Sequence, residues 1–294
     1  MRAGEWGFSL RAAGGARVAM EGSDMDQLQV AAVQMNAGLD KAANLDRAAR
    51  LVAEAAATGS RLIVLPELFN LYGDLARAAD EAEPINGTTV TAMRKWAEQH
   101  QVWLCGSLAC RNELATNKAS NLAVLVDPHG EVRAQYAKIH LFDIDLPGRV
   151  TSRESDHLAP GADVVCQPIQ WARVGLAICY DLRFPELFRA LVDRRADLIL
   201  LPSAFTKTTG EDHWEILVRA RAIENQAYIV AANQVGAHTP RGASYGHSLI
   251  VDPWGKVMAK ADGENEAIIN ATLDQQRLQD VRAQLPSLAN RRLK

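Results

Sequence analysis

Residues 173–186 read RVGLAICYDLRFPE. An apolar run of strand character stops at Cys179, and the chain turns at once into charge and a proline that suits the first turn of a helix. Read alone, Cys179 is either a buried core thiol or a nucleophile held at the end of a strand. The passage from strand to helix through CYDLRFPELF sets the thiol near backbone N–H groups and the positive end of a helix. A neighbouring ammonium would further favour the thiolate.

Working outward, short apolar runs alternate with helical segments. LQVAAVQM (28–35) reads as a strand, and residues 40–59 as a helix with Asp40 as N-cap and Gly59 as its stop. RLIVLPE (61–67) has the continuous apolar character of a strand covered on both faces. Further strands are expected at 102–110, 174–179, 197–203 and 228–235, and further helices at 88–100, 185–195 and 212–227. Two hairpins carry related turns, LVDPHGEV in the first half and LIVDPWGKV in the second, so the chain reads as two similar halves. Between the halves lies a polar segment, 142–163. This order fits an α/β fold of two packed mixed sheets with helices outside. No Pro/Gly/Ser-rich linker follows residue 25, so residues 26–294 read as one domain and residues 1–25 as a disordered extension.

Composition narrows the function. A net charge of −3 gives no electrostatic footprint for nucleic acid or an anionic membrane, and no apolar run reaches spanning length. Four cysteines among 294 residues form no disulfide framework and match no zinc spacing, which sets a reducing, cytoplasmic context as the default. The seven histidines show no metal-ligand pattern, so no metal or organic cofactor is expected. GHSLI (246–250) lacks the second glycine of a nucleophile elbow and reads as a core strand beside a hydrogen-bonded His247.

Two upstream positions can join Cys179. Glu67 closes LIVLPE, either as an exposed loop acid or as a carboxylate at the end of a buried strand. Lys138, in YAKIHLFD, is either a snorkelling edge lysine or a buried, charge-paired one.

LPELF (65–69), YAKIHLFD (136–143) and CYDLRFPE (179–186) resemble, in order and spacing, the three signature regions of the nitrilase, or carbon–nitrogen hydrolase, superfamily. The similarity runs from Leu28 to the C-terminus and includes HWEILVRARAIENQAYIVAANQ (213–234). It implies a four-layer α-β-β-α sandwich and a Glu-Lys-Cys triad. Glu67 matches the general base, Lys138 the catalytic lysine, Cys179 the nucleophile, and Glu154, in RESD, a second active-site glutamate. The chemistry implied is amide hydrolysis through a cysteine thioester.

Typical nitrilases carry Trp-Glu-Asn after the cysteine, whereas CYDLRFPE resembles the Nit amidase branch. RESDHLAPG (153–161), PSAFTKTTGEDHWE (202–215) and ASYGHSLIVDPWG (243–255) are similar to the enzymes of that branch that hydrolyse deaminated glutathione. The alternative is an ω-amidase acting on 2-oxoglutaramate or 2-oxosuccinamate. Either substrate carries a carboxylate, which Arg183 could bind unless it makes a structural salt bridge in the turn. The backbone N–H of Tyr180 is expected at the oxyanion. Phe205 and Thr206 are expected to approach the pocket and Tyr72 to line its opening. The resemblance also implies a homodimer formed through the helices flanking the nucleophile, with residues 185–198 as a contact face and the tail LPSLANRRLK (285–294) crossing to the partner.

Overall fold

Why the apolar runs are continuous is visible in the packing of two six-stranded sheets. The computed structural model describes residues 26–112, 118–148, 150–239 and 242–293; the extension expected at 1–25 lies outside them. One sheet runs, in spatial order, Ala267–Asp274, Gln27–Gln34, Leu62–Val64, Trp103–Arg111, Ala119–Val126, Val132–Ala137. The other runs Val257–Lys260, Leu249–Val251, Tyr228–Asn233, Leu198–Ser203, Arg173–Leu176, Cys166–Pro168. In each, the central pairings are parallel and the outer ones antiparallel.

Gln27–Gln34 faces Tyr228–Asn233 across the middle of the sandwich. Val30, Ala32, Leu62 and Val64 point inward to the second sheet. Their neighbours Ala31, Val33, Ile63 and Leu65 point outward to Leu51, Val52, Val90 and Met93 of the helices Lys41–Ala57 and Thr88–His100. A strand buried on both faces shows no polar alternation, which is why these runs read as unbroken. Pro185–Asp193 and Lys207–Asn225 cover the second sheet through Leu187, Phe188, Leu191, Trp214 and Val218. The result is the α-β-β-α sandwich with two mixed sheets.

The two halves share their turns bond for bond. Asp127 Oδ1 accepts from the N–H groups of His129 and Glu131, and Asp252 Oδ1 from those of Trp254 and Lys256. Each turn adjoins a register shift in its hairpin.

Several boundaries differ from the sequence reading. The helix expected at 212–227 begins at Lys207, because Gly210 serves a close approach rather than a break: a Cβ there would meet the Tyr245 ring at 2.4 Å. The polar segment 142–163 holds a small hairpin, Asp143–Leu146 with Val150–Arg153, and the short 3₁₀ turn Glu154–Asp156. In the tail, the Arg291 guanidinium donates to the Asp193 carboxylate at 2.6 and 3.2 Å. His247 is hydrogen-bonded, its Nδ1 2.9 Å from the Tyr245 carbonyl. Among the described residues, no helix is long and apolar enough to cross a membrane.

Candidate active site

Three strand ends converge at one rim of the sandwich. Glu67 follows Leu62–Val64 and is stitched to the second sheet: its N–H donates to the Ser203 carbonyl at 3.3 Å, and its own carbonyl accepts from Gln234 Nε2 at 3.0 Å. Lys138 follows Val132–Ala137, with its N–H on the Asn121 carbonyl at 2.9 Å. Cys179 lies beyond Arg173–Leu176, at the start of the 3₁₀ turn Cys179–Arg183.

These side chains form a buried cluster with Glu154. Lys138 Nζ donates to Glu67 Oε1 at 2.8 Å and to Glu154 Oε2 and Oε1 at 2.9 and 3.1 Å. Glu67, Lys138 and Glu154 are 4%, 2% and 2% exposed, so this pairing operates with little solvent screening. Burial works to strip Lys138 of its proton, but the Glu154 and Glu67 carboxylates outweigh it and hold the ammonium well above 10.5. At Cys179 burial and then the Glu67 carboxylate push the thiol well above 9.0, and Lys138 offsets them only in part. The resting sulfur is therefore a thiol within hydrogen-bonding reach of Glu67, a pair that needs a proton transfer before attack.

Cys179 adopts φ +43°, a left-handed conformation that costs a non-glycine residue about 1–2 kcal/mol. Asp181, fully buried, holds it there. Its Oδ2 accepts from the Ile178 N–H at 2.8 Å and from the Tyr136 hydroxyl at 2.7 Å. Its Oδ1 accepts from the His140 N–H at 3.1 Å and lies 2.7 Å from His140 Nδ1. Tyr136 and His140 flank Lys138, so one carboxylate ties the cysteine turn to the lysine segment.

A cavity of about 250 Å³ opens over the cluster and is lined by all four of these residues, Glu67, Lys138, Glu154 and Cys179. Tyr72, Tyr180, Phe205 and Thr206 also line it, as do Thr151 and Ser152 of the small hairpin. Tyr72 packs edge-on to His238 at 4.6 Å, and burial with the nearby Glu67 charge raises its hydroxyl's pKa. Arg183 is placed differently. It does not line the cavity; its guanidinium lies 5.0 Å over the Phe205 ring and 5.8 Å from the Tyr180 ring, and Nη1 is 3.2 Å from His213 Nδ1. In a 3₁₀ turn, residues three apart eclipse, so Arg183 stacks behind Tyr180 rather than beside Cys179. Burial lowers its pKa from 12.5. Among the described residues, Lys138 is the only lysine or arginine lining the cavity, and no cluster of three or more metal-ligating side chains is present.

The sequence reading missed Asn121 and Ser107. Asn121 is fully buried and donates Nδ2 to Glu67 Oε1 at 2.7 Å, while the Ser107 hydroxyl donates to its Oδ1 at 2.9 Å. The available signal was an asparagine opening the apolar run NLAVLV, where only a partnered amide is tolerated.

The fold is that of a hydrolase of the carbon–nitrogen type. A family profile for carbon-nitrogen hydrolases matches residues 29–283, and the chain belongs to that family, whose members cleave non-peptide carbon–nitrogen bonds in amides. Among curated relatives, mouse omega-amidase NIT2 is 37% identical over 91% of this chain and 96% of its own. Bovine deaminated glutathione amidase is 42% identical over 90% of this chain and 81% of its own. Among solved structures, Nit3 of Saccharomyces cerevisiae, a member of branch 10 of the nitrilase superfamily, superposes with a TM-score of 0.82 at 31% identity, covering 91% of this chain and 97% of that one.

Proposed function

We propose that this hydrolase cleaves a small-molecule amide through a thioester on Cys179, with deaminated glutathione as substrate, whose side-chain amide breaks to free the amine of cysteinylglycine and leave 2-oxoglutarate. The observation that carries the reading is the thiol, carboxylate and ammonium converging on the floor of one cavity. Glu67 takes the Cys179 proton as sulfur attacks the carbonyl carbon, and the carbonyl π electrons move to oxygen. Lys138 and the Tyr180 N–H stabilise that oxyanion. Both contacts of Lys138 to Glu154 lie on one carboxylate, so loosening one of them frees an N–H for the oxyanion. On collapse the C–N bond breaks, and nitrogen departs with the proton from Glu67. Water then attacks the thioester, giving a proton to Glu67. The C–S bond breaks, leaving carboxylic acid product, and the thiolate regains its proton.

The names of the bovine and mouse relatives support two substrates for this chain. Room favours the larger: the cavity extends beyond Cys179 to Thr151 and Ser152 on one side and Gly242 and Ala243 on the other, more than a five-carbon keto amide needs. Tyr72, Phe205 and Thr206 would contact the remote part. Formation of 2-oxoglutarate from deaminated glutathione and from 2-oxoglutaramate, measured side by side, decides it. We expect at least tenfold higher kcat/KM for the tripeptide analogue; the reverse preference replaces this reading with an ω-amidase.

The protein works as a homodimer in a reducing, cytoplasmic compartment. Cys105, Cys166 and Cys179 carry free thiols. Ile216, Ile223 and Trp254 are 69%, 46% and 53% exposed, and Ile223 packs against Gly255, which joins the helix Lys207–Asn225 to the second turn in one apolar face. Exposed apolar patches of this kind mark contact surfaces. Light scattering should give a dimer that Ile216→Glu with Ile223→Glu converts to monomer. A wild-type monomer at micromolar concentration would refute it.

A further inference from the structure

The geometry points to Asn121 as a positioning residue that decides which oxygen of Glu67 carries the proton. This rests on Glu67 being the general base. A carboxylate offers about two acceptor directions per oxygen. Oε1 receives Asn121 Nδ2 at 2.7 Å and Lys138 Nζ at 2.8 Å, so it is occupied. Oε2 receives one donor, the Ala204 N–H at 2.9 Å, and retains a free direction. Ala204, Glu67 and Cys179 line the same cavity, which sets the thiol beside this carboxylate. Oε2 is the oxygen that takes the thiol proton, returns it to the leaving nitrogen and then deprotonates water.

The orientation of the Asn121 amide is not free. The Leu68 N–H donates to Ser107 Oγ at 3.0 Å, which leaves the Ser107 hydroxyl to donate to Asn121 Oδ1 at 2.9 Å. With Oδ1 fixed, Nδ2 must face the carboxylates: Glu67 at 2.7 Å and Glu154 at 3.4 Å. A flipped amide would aim its oxygen at both acids. The chain Leu68–Ser107–Asn121–Glu67 begins at the residue next to the base and returns to it, so the carboxylate plane is clamped to its own backbone. Without Asn121, Oε1 has a vacant direction, and the carboxylate can turn to share the thiol proton between two oxygens, only one of which points along the attack path. Misplacement of a catalytic group on this scale costs about 10–100-fold.

The test is single-turnover kinetics of Asn121→Ala and Ser107→Ala with deaminated glutathione and 2-oxoglutaramate, beside Glu67→Gln. Because Glu67 serves both half-reactions, release of the amine (cysteinylglycine or ammonia, according to the substrate) and of the carboxylate should slow together, by about 10–100-fold in Asn121→Ala and by a smaller factor in Ser107→Ala, with KM within twofold of wild type. Single-turnover rate constants do not depend on the folded fraction, so a merely structural loss would leave them unchanged. Ser107→Ala deletes one hydroxyl and keeps the question open to experiment where Asn121→Ala fails to fold. Unchanged rate constants in the folded variants, with Glu67→Gln inactive, would overturn the role of Asn121 alone. An active Glu67→Gln would remove the base assignment and this inference with it.

Discussion

Cys179→Ala is expected to lose amide hydrolysis by about 10⁴-fold or more while folding normally. No other described cysteine lines the cavity, so nothing at the site can replace the nucleophile. The cost to stability is small for three reasons. The substitution removes one sulfur atom. Ala tolerates φ +43° no worse than Cys. The Asp181 network that holds the turn does not use the sulfur. A cost near 1 kcal/mol corresponds to about 2–4 °C in Tm for a chain of this size. Measured turnover within tenfold of wild type would end the assignment of Cys179 as nucleophile.

Lys138→Met should damage both activity and stability. Methionine fills nearly the same volume but leaves Glu67 and Glu154 facing each other, buried, with Asn121, Ala204 and Phe142 N–H groups as remaining donors. Removing one partner of a buried ion cluster costs about 3–5 kcal/mol. Loss of the oxyanion charge should lower kcat by about 10³-fold. The pH dependence has a definite sign. In the wild type, the Lys138 pKa lies above its ordinary value, so its stabilisation is complete below about 10.4 and is lost as pH rises through the folded value. In the variant, the two buried carboxyls that Lys138 bridges lose the ammonium between them, and like charges in a buried site favour uptake of a proton by one of them. The folded state then binds the extra proton, so the deficit is full at pH 7.5 and shrinks as pH falls toward 5. Urea midpoints at those two pH values test this; an equal deficit at both would refute the charge argument.

Glu67 and Cys179 were legible because each closes an apolar run with a residue type that a strand end rarely needs, and Lys138, after the mixed strand VRAQYA, because its motif falls in order between theirs. Asn121 was not: inside NLAVLV it looks like a strand boundary, and only the cross-strand neighbour Ser107 shows that its amide is spent on the site. Arg183 was named by adjacency, and its direction is visible only once the turn is known to be 3₁₀: it lies over the Phe205 ring, outside the cavity lining. Ala267–Asp274 and the helix Gln275–Gln284 escaped notice for a related reason. AIINATLD is an edge strand, mostly half-buried, and neither alternates cleanly nor runs apolar. The two sheets themselves were readable from the paired turns.

That last-made strand has a consequence for biosynthesis. Gln27–Gln34 pairs with Ala267–Asp274 residue for residue, from Gln27 with Asp274 to Gln34 with Ala267. A nascent chain leaving the ribosome therefore carries its first strand with one bare row of amides and carbonyls until nearly the whole sequence has been translated. Such an edge is a template for pairing with other chains, and closing it is a contact of very long sequence separation. The half-sheet that bears Glu67 and Lys138 is synthesised well before Ala267–Asp274 completes it, so the enzyme is built as an open structure that only a strand far along the chain can shut.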